Sequence, residues 1–231
     1  MNEKCSAREC EDLSLKQEQS LLAASAIQFA LFEALAWWVH RHPVLSIDVA
    51  ITRALQKNQS PPLRYAMLAL SYVNEHTFLN VLTVSLAAYF WMRRLRLEAV
   101  MIVAATWASN LFRVWFHRIV NRPRPSPHMV RVEQQSRGKS FPSGHVLASM
   151  TFWGWLLALW PLLWQGNRSR QKALKSIPAL CIAFIGPSRI YLGDHWATDV
   201  LGGYLLGGSW LALLFRVYLA LKNNGVLTKK R

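Results

Sequence analysis

The sequence predicts an all-α, polytopic membrane protein built as a six-transmembrane-helix bundle. Its 231 residues are 52% hydrophobic and include 11 Trp and 10 Phe but only 12 acidic residues. This composition suits neither a disordered chain nor a typical soluble domain. Segments of about 17 to 25 mostly apolar residues can cross the hydrocarbon core of a bilayer. Six such segments occur, at residues 21–39, 71–92, 97–116, 146–164, 177–192 and 197–221.

The predicted spans indicate a single membrane domain. We expect a charged cytoplasmic segment at 1–20, a six-helix membrane domain at 21–221 and a basic tail at 222–231. Residues 34–36, Ala-Leu-Ala, resemble a signal-peptidase site, but two tryptophans follow at once and the apolar stretch is long enough to span, which favours a retained first helix.

The distribution of basic residues predicts the orientation of the chain. A net charge of +15 is typical of proteins that bind nucleic acid. However, the basic residues lie between the apolar spans rather than along one soluble face, so we expect no nucleic-acid partner. With six spans, 14 Lys and Arg fall on the side of the two termini and 11 on the other. The positive-inside rule therefore places both termini in the cytoplasm.

A first candidate motif is Pro142-Ser143-Gly144-His145, directly before the fourth span. Ser143 is a good N-cap, and Gly144 leaves the backbone uncovered, so free N–H groups at the helix start could bind an oxyanion. His145, in the first turn, could donate a proton to a leaving oxygen. Taken alone, the motif is equally consistent with a plain helix cap.

A second motif runs from Ser188 to Val200. Asp194 is expected to cap the last helix, with His195 in its first turn and Asp199 one turn later on the same face. A carboxylate so placed can hold one imidazole nitrogen and present the other as a nucleophile or base. A cap followed by a chance His/Asp pair is the alternative.

The third motif, His117 to Pro127, begins the longest irregular stretch, residues 121–142. Alternating Arg and Pro stiffen the backbone and hold Arg122 and Arg124 outward, where guanidinium groups could pair with phosphate oxygens. A basic loop that binds lipid headgroups is the alternative.

With six spans, all three motifs fall on the same side of the membrane. Together they supply two imidazoles, an orienting carboxylate, arginines and a helix N-terminus around one anion. These are the groups that phosphoryl transfer requires without a metal, so we expect no cofactor. The three cysteines have no disulfide or metal-binding spacing.

The three motifs resemble the signatures of the type-2 phosphatidic acid phosphatase superfamily, which includes glucose-6-phosphatase and the vanadium haloperoxidases. The resemblance implies that His195 is the nucleophile and forms a phosphohistidine, that Asp199 holds its ring, and that His145 is the general acid. It also implies a set of phosphate-binding groups: Arg124, Arg189 and the backbone N–H groups of Ser143 and Gly144.

One position departs from this family. The first signature normally begins with Lys seven residues before its Arg, and here that residue is His117. Histidine is only partly charged near neutral pH, so we expect a weaker phosphate clamp. Arg113, one turn earlier on the same face, or the adjacent Arg118 could compensate.

The predicted function is metal-independent hydrolysis of a phosphate monoester or diphosphate of a membrane lipid, of the phosphatidic acid, phosphatidylglycerol phosphate or polyprenyl diphosphate type. A lipid phosphotransferase using the same phosphohistidine and a non-catalytic lipid-binding protein are the alternatives; a haloperoxidase is disfavoured because those relatives are soluble. The resemblance implies a bacterial inner membrane with the site on its periplasmic side.

Overall fold

All regular structure in the described residues is helical. The computed structural model describes residues 7–134, 136–160 and 168–227, and it contains no strand there. Eight helices are described: α1 (Ala7–Arg41), α2 (Ser46–Leu55), α3 (Pro61–Val73), α4 (His76–Met92), α5 (Arg96–Val120), α6 (Gly144–Ala158), α7 (Arg168–Tyr191) and α8 (Ala197–Asn223). The predicted all-α class is confirmed for this part of the chain.

Four of these helices are long and apolar enough to cross a membrane. The segments lie in α1 (Lys16–Arg41), α5 (Arg96–Val120), α7 (Lys172–Tyr191) and α8 (Ala197–Asn223), and they match the first, third, fifth and sixth predicted spans. The predicted number of six is not confirmed.

The other two predicted spans differ from the helices that the structure shows. Span 71–92 is interrupted at Asn74 and Glu75, where α3 ends and α4 begins. The Glu75 carboxylate accepts a hydrogen bond from the backbone N–H of Thr77 at 2.8 Å and so caps α4. Span 146–164 coincides with α6 as far as Ala158, and its residues 161–164 lie outside the described chain, as do residues 1–6 and 228–231 of the predicted terminal segments.

Aromatic packing beneath the Pro142–His145 segment fixes its position. Phe141 is buried and stacks on Phe32 of α1 with ring centroids 5.5 Å apart, and Phe116 of α5 meets Phe32 edge-on at 4.6 Å. Such pairs add to the free energy gained by burying the rings. The residue preceding the motif is therefore anchored between α1 and α5.

Glycines on α8 allow it to approach the start of α6. A Cβ atom placed on Gly203 would lie 2.9 Å from the carbonyl oxygen of Ser143 and 3.0 Å from Cβ of Val146. On Gly202 it would lie 2.5 Å from the Phe141 ring. Small residues at a contact between helices let their backbones approach closely.

The segment between α5 and α6 is irregular, as predicted, and covers this end of the bundle. Asn121 ends α5 in the left-handed conformation, with φ of 51°. The Ser140 N–H then donates to the Arg122 carbonyl oxygen at 3.0 Å, and the Glu133 N–H donates to the Leu192 carbonyl oxygen at 2.9 Å. These bonds tie the segment to itself and to the turn between α7 and α8.

Candidate active site

The structure brings the predicted histidines and arginines together at one end of the bundle. Side-chain ligand atoms of His145, Asp194 and His195 all lie within 4.8 Å of one another. Nη1 of Arg124 lies 3.1 Å from Nε2 of His195 and 3.0 Å from the Asp194 carboxylate. Arg189 also pairs with Asp194. We call this group of five side chains the cradle.

The start of α6 contributes backbone donors to the cradle. Helix α6 begins at Gly144 with Ser143 in the N-cap position, and His145 lies in the first turn, as predicted. The first N–H groups of a helix have no acceptor within it, so the Gly144 and His145 amides are free to bind an anion.

The predicted role of the Ser143 backbone N–H is wrong. That group donates to the Asp199 carbonyl oxygen at 3.0 Å, which joins the starts of α6 and α8 and leaves no proton for a phosphate. The Ser143 hydroxyl does not cap α6 either; it is buried without a hydrogen-bond partner in the described chain. The hydroxyl, and not the amide, is therefore the donor that Ser143 can offer.

The predicted start of the last helix is also wrong. His195 lies in the turn between α7 and α8 rather than in the first turn of α8, because Asp194 does not cap the helix. The Asp194 carboxylate is occupied by Arg189 and by the backbone N–H and hydroxyl of Ser136, at 2.5 and 2.9 Å. Asp199, the third residue of α8, instead accepts the Trp196 N–H at 2.8 Å.

The surroundings of His195 hold its ring in a reactive state. Because a guanidinium group can only donate, the contact from Arg124 indicates that Nε2 carries a lone pair directed into the cradle. Nδ1 lies 3.7 Å from Oδ2 of Asp199, longer than a hydrogen bond but close enough for attraction. Burial, together with the positive charge of Arg124, lowers the pKa of His195 by more than Asp199 and Asp194 raise it. The ring is therefore neutral near neutral pH.

Asp194 is the negative group of the cradle. Burial alone would raise its pKa, but the neighbouring His195, Arg189 and Arg124 outweigh burial and hold the pKa well below its ordinary value. One carboxylate thus positions two arginines that the sequence predicted to bind phosphate.

Asp199 is held by a buried network that the sequence did not reveal. It accepts hydrogen bonds from Ser140 and from Nη1 of Arg122, the latter at 2.6 Å. Nη2 of Arg122 pairs with Asp48 of α2, also at 2.6 Å. The prediction that Arg122 points outward to phosphate is therefore wrong, because two buried carboxylates hold its guanidinium group inside the protein.

The three bases considered for the first signature have different surroundings. His117 is buried, and its Nε2 donates to the Pro142 carbonyl oxygen at 3.1 Å, so it supports the backbone of the Pro142–His145 motif. Arg113 lies against Gly144, since a Cβ placed on that glycine would collide with Cδ of Arg113. Arg118 is exposed and lines an outer pocket. Of the two compensating bases, only Arg113 contacts the start of α6.

His76, at the start of α4, was missed by the sequence analysis. Its ring centroid lies 5.5 Å from that of His145, and its Nε2 would lie 2.9 Å from a Cβ on Gly144. Neither His76 nor Asp48 has a neighbour in sequence that indicates a role. Asp194 did carry a signal, because it adjoins His195 and lies five residues after Arg189.

The charges of the cradle favour an anion over a cation. His145, Asp194 and His195 are spaced as metal ligands would be. However, Asp194 already pairs with two guanidinium groups, which repel a cation. Buried atoms without a hydrogen-bond partner in the described chain include Nε of Arg189, Oγ of Ser143 and Nε2 of His145. Buried polar atoms normally find partners, and a tetrahedral oxyanion could supply them here.

Comparison with known proteins identifies the family. The sequence profile of the PAP2 superfamily matches residues 98–222, a range that contains the whole cradle. This chain belongs to the PAP2 superfamily. The predicted family is therefore confirmed, and with it the predicted class of enzyme, the phosphoric ester hydrolases.

Relatives within the PAP2 superfamily cover most of the chain. Phosphatidylglycerophosphatase B of Bacillus subtilis is 31% identical over 190 residues, which are 82% of this chain and 90% of that protein. A putative undecaprenyl-diphosphatase of Escherichia coli is 27% identical over 154 residues, 65% of this chain and 73% of that one.

A solved structure supports the fold. The crystal structure of a transmembrane PAP2-type phosphatidylglycerolphosphate phosphatase from Bacillus subtilis superposes with a TM-score of 0.71 at 26% identity, covering 87% of this chain and 96% of that one. Together with the four apolar helices, this identifies the chain as an integral membrane protein.

Proposed function

We propose that this PAP2 enzyme hydrolyses a phosphate monoester or diphosphate of a membrane lipid through a phosphohistidine on His195. The observation that carries the proposal is the meeting of His145 and His195 in a buried, positively charged cradle at a helix N-terminus. The names of the relatives, a phosphatidylglycerophosphatase and an undecaprenyl-diphosphatase, support a lipid substrate.

In the first step, Nε2 of His195 attacks phosphorus while the bond from phosphorus to the leaving oxygen breaks. His145 gives that oxygen a proton, so the leaving group departs as a neutral alcohol or as a phosphate one charge less negative. Arg124, Arg189 and the Gly144 amide bind the remaining phosphoryl oxygens. Asp199 stabilises the positive charge that develops on the His195 ring.

In the second step, water replaces the histidine. His145, now neutral, accepts a proton from the water molecule as its oxygen bonds to phosphorus and the phosphorus–nitrogen bond breaks. Inorganic phosphate leaves, and both histidines return to their starting states. His145 acts as acid and then as base from a single position.

We further propose that the cradle faces the periplasmic side of a bacterial inner membrane. The C-terminal ends of α5 and α7 and the N-terminal ends of α6 and α8 all border the cradle. The site is therefore at the end of the bundle that lies at the membrane–water interface. Several of the 11 basic residues assigned to this side serve phosphate binding or structure, which strengthens the charge argument for cytoplasmic termini.

The test is phosphate release by purified protein in detergent with a chelator present. We expect His195-dependent release from at least one of phosphatidic acid, phosphatidylglycerol phosphate or a polyprenyl diphosphate. The variant His195→Ala should lower kcat by about a thousandfold or more, as loss of a nucleophile does. His128→Ala, which removes an exposed histidine from the neighbouring segment, should leave kcat within about twofold of the wild type.

A phosphorylated intermediate should be trapped by quenching in alkali, because the phosphorus–nitrogen bond hydrolyses in acid. Label that survives alkali and is lost in His195→Ala supports the mechanism. Undiminished turnover in His195→Ala would refute it.

A further inference from the structure

An open, basic pocket adjoins the cradle on the outside of α5. We call it the outer pocket; its volume is about 540 Å³, and its lining includes Arg113, Val114, His117, Arg118, Asn121 and Lys139. These residues come from the last turns of α5 and from the segment that follows it. No acidic side chain lines the outer pocket among the described residues.

The outer pocket shares a wall with the cradle. The Gly138 carbonyl oxygen, on its rim, accepts a hydrogen bond from Nε of Arg124 at 3.1 Å. His117 donates to Pro142, one residue before Ser143, and Arg113 contacts Gly144. A group bound in the outer pocket would therefore lie directly beside a phosphoryl group bound in the cradle.

The positive charge of the outer pocket is not neutralised by the protein. In the cradle, Arg124 and Arg189 pair with Asp194, whereas Arg118 and Lys139 have no ion pair within the described chain. Among the described residues, Arg113 donates only to the neutral amide of Asn110, at 2.7 and 3.1 Å. Unpaired basic groups that converge on one concave surface attract an anion.

The apolar surface of α5 shows from which side a lipid would approach. Trp107, Leu111 and Val114 are exposed by 54%, 71% and 37%, and their spacing continues to Arg118 on one face of the helix. A lipid tail that lies along these exposed apolar residues would reach Val114 and Arg118 in the outer pocket before it reaches the cradle. The outer pocket thus lies between the tail and the scissile phosphate.

We infer that the outer pocket binds a second phosphate group of the substrate, one that lies between the lipid tail and the phosphate that is removed. This deepens the function proposed above and rests on it. The substrate class is then lipids with two phosphates, either a phosphodiester followed by a terminal monoester or a prenyl diphosphate. Lipids with a single phosphate monoester leave the outer pocket unfilled.

Two pairs of substrates with matched tails test this inference. Phosphatidylglycerol phosphate is compared with phosphatidic acid, and farnesyl diphosphate with farnesyl monophosphate, in the same detergent micelles. In at least one pair, kcat/KM of the wild type should be about tenfold or more higher for the lipid with two phosphates, since a hydrogen bond to a charged group contributes that much.

The double variant Arg118→Gln with Lys139→Gln should lower this preference by about tenfold, because both charges face the second phosphate. Both residues are exposed, so the fold should tolerate the change. Arg137→Gln is the matched control: it removes an exposed charge from the same segment but does not line the outer pocket, and the preference should remain.

Equal kcat/KM within both pairs, or an unchanged preference in the double variant, would overturn the inference while His195-dependent phosphate release still supports the proposed phosphatase. If no lipid releases phosphate in a His195-dependent manner, the proposed function fails and the inference fails with it.

Discussion

Asp199 and His195 show how neighbours within the site set the state of a single residue. The carboxylate of Asp199 is held by Arg122, Ser140 and the Trp196 amide, so it cannot rotate away from Nδ1 of His195. Nε2 faces Arg124 at 3.1 Å. The imidazole is thus directed from both sides, and its neutral form is favoured by burial.

This state predicts the pH dependence of the free enzyme. Because burial lowers the pKa of His195, the ring stays unprotonated as pH falls to its ordinary pKa of about 6.5. The acid-side decline of kcat/KM that belongs to His195 should therefore have its midpoint below about pH 6.5, whereas a decline on the alkaline side belongs to deprotonation of the general acid, His145. The measurement is a pH profile of kcat/KM with two substrates whose phosphate groups differ in pKa.

A decline of kcat/KM whose midpoint pH is the same for both substrates belongs to the enzyme and not to the substrate. A substrate-independent acid-side decline with its midpoint above pH 7 would contradict the assignment of a lowered pKa to His195. Asp199→Asn provides a second check, since Asp199 raises the pKa of His195; its removal should move the midpoint further toward acid and reduce kcat by about 10³- to 10⁴-fold.

Residues that lie close in sequence could be predicted, and those that meet only through folding could not. His195 and Asp199 are four residues apart in the sequence, and Ser143 to His145 are contiguous, so their patterns were visible. Asp48 and His76 reach the site from α2 and α4, far from the motifs in sequence. Arg122 was misassigned because the carboxylates that hold it, Asp48 and Asp199, lie 74 and 77 residues away in the sequence.

At the scale of helices, the contact between α8 and the start of α6 positions the nucleophile and the phosphate-binding amides together. Gly203 meets the Ser143 carbonyl oxygen, and the Ser143 N–H donates to Asp199 at the start of α8. Each helix therefore fixes the first turn of the other.

Replacing Gly203 should separate these two helix starts. In Gly203→Ala, the new Cβ would lie 2.9 Å from a backbone oxygen that cannot move independently of α6. Overpacking of this kind costs about 1–3 kcal/mol, so we expect a lower Tm in detergent and a loss of kcat of about tenfold or more.

Leu201→Ala is the matched control, because Leu201 is an exposed residue of the same helix. It should change both Tm and kcat little. Wild-type kcat and Tm in Gly203→Ala would show that the contact does not position the site.

Apolar runs predicted α1, α5, α7 and α8, because length and composition alone decide whether a helix can span. They did not predict the break between α3 and α4. There, the Glu75 side chain satisfies free amides at the start of α4 and makes a new helix more favourable than continuation through Asn74. Hydropathy does not detect such a local hydrogen bond.

At the scale of the whole molecule, the proposed orientation places the cradle and the C-terminus on opposite sides of the membrane. It can be tested in a chain whose native cysteines are replaced, with one cysteine reintroduced by Arg137→Cys or Asn224→Cys, both at exposed positions. In right-side-out spheroplasts, a membrane-impermeant maleimide should label the first variant, while the second should react only after permeabilisation.

Equal labelling of both variants before permeabilisation, or the reverse pattern, would contradict the proposed orientation. Phosphate release by each variant serves as the control that the labelled protein is folded.

The pairing of Arg122 with Asp48 and Asp199 also bears on biosynthesis. The three charged residues of this group come from an early helix (Asp48), a middle segment (Arg122) and the last helix of the chain (Asp199). A ribosome-bound fragment that lacks α8 would hold Arg122 against only one carboxylate and would leave His195 without its orienting group. Catalytic competence should therefore arise abruptly, when the final helix inserts, and C-terminal truncations that remove it should be inert rather than partly active.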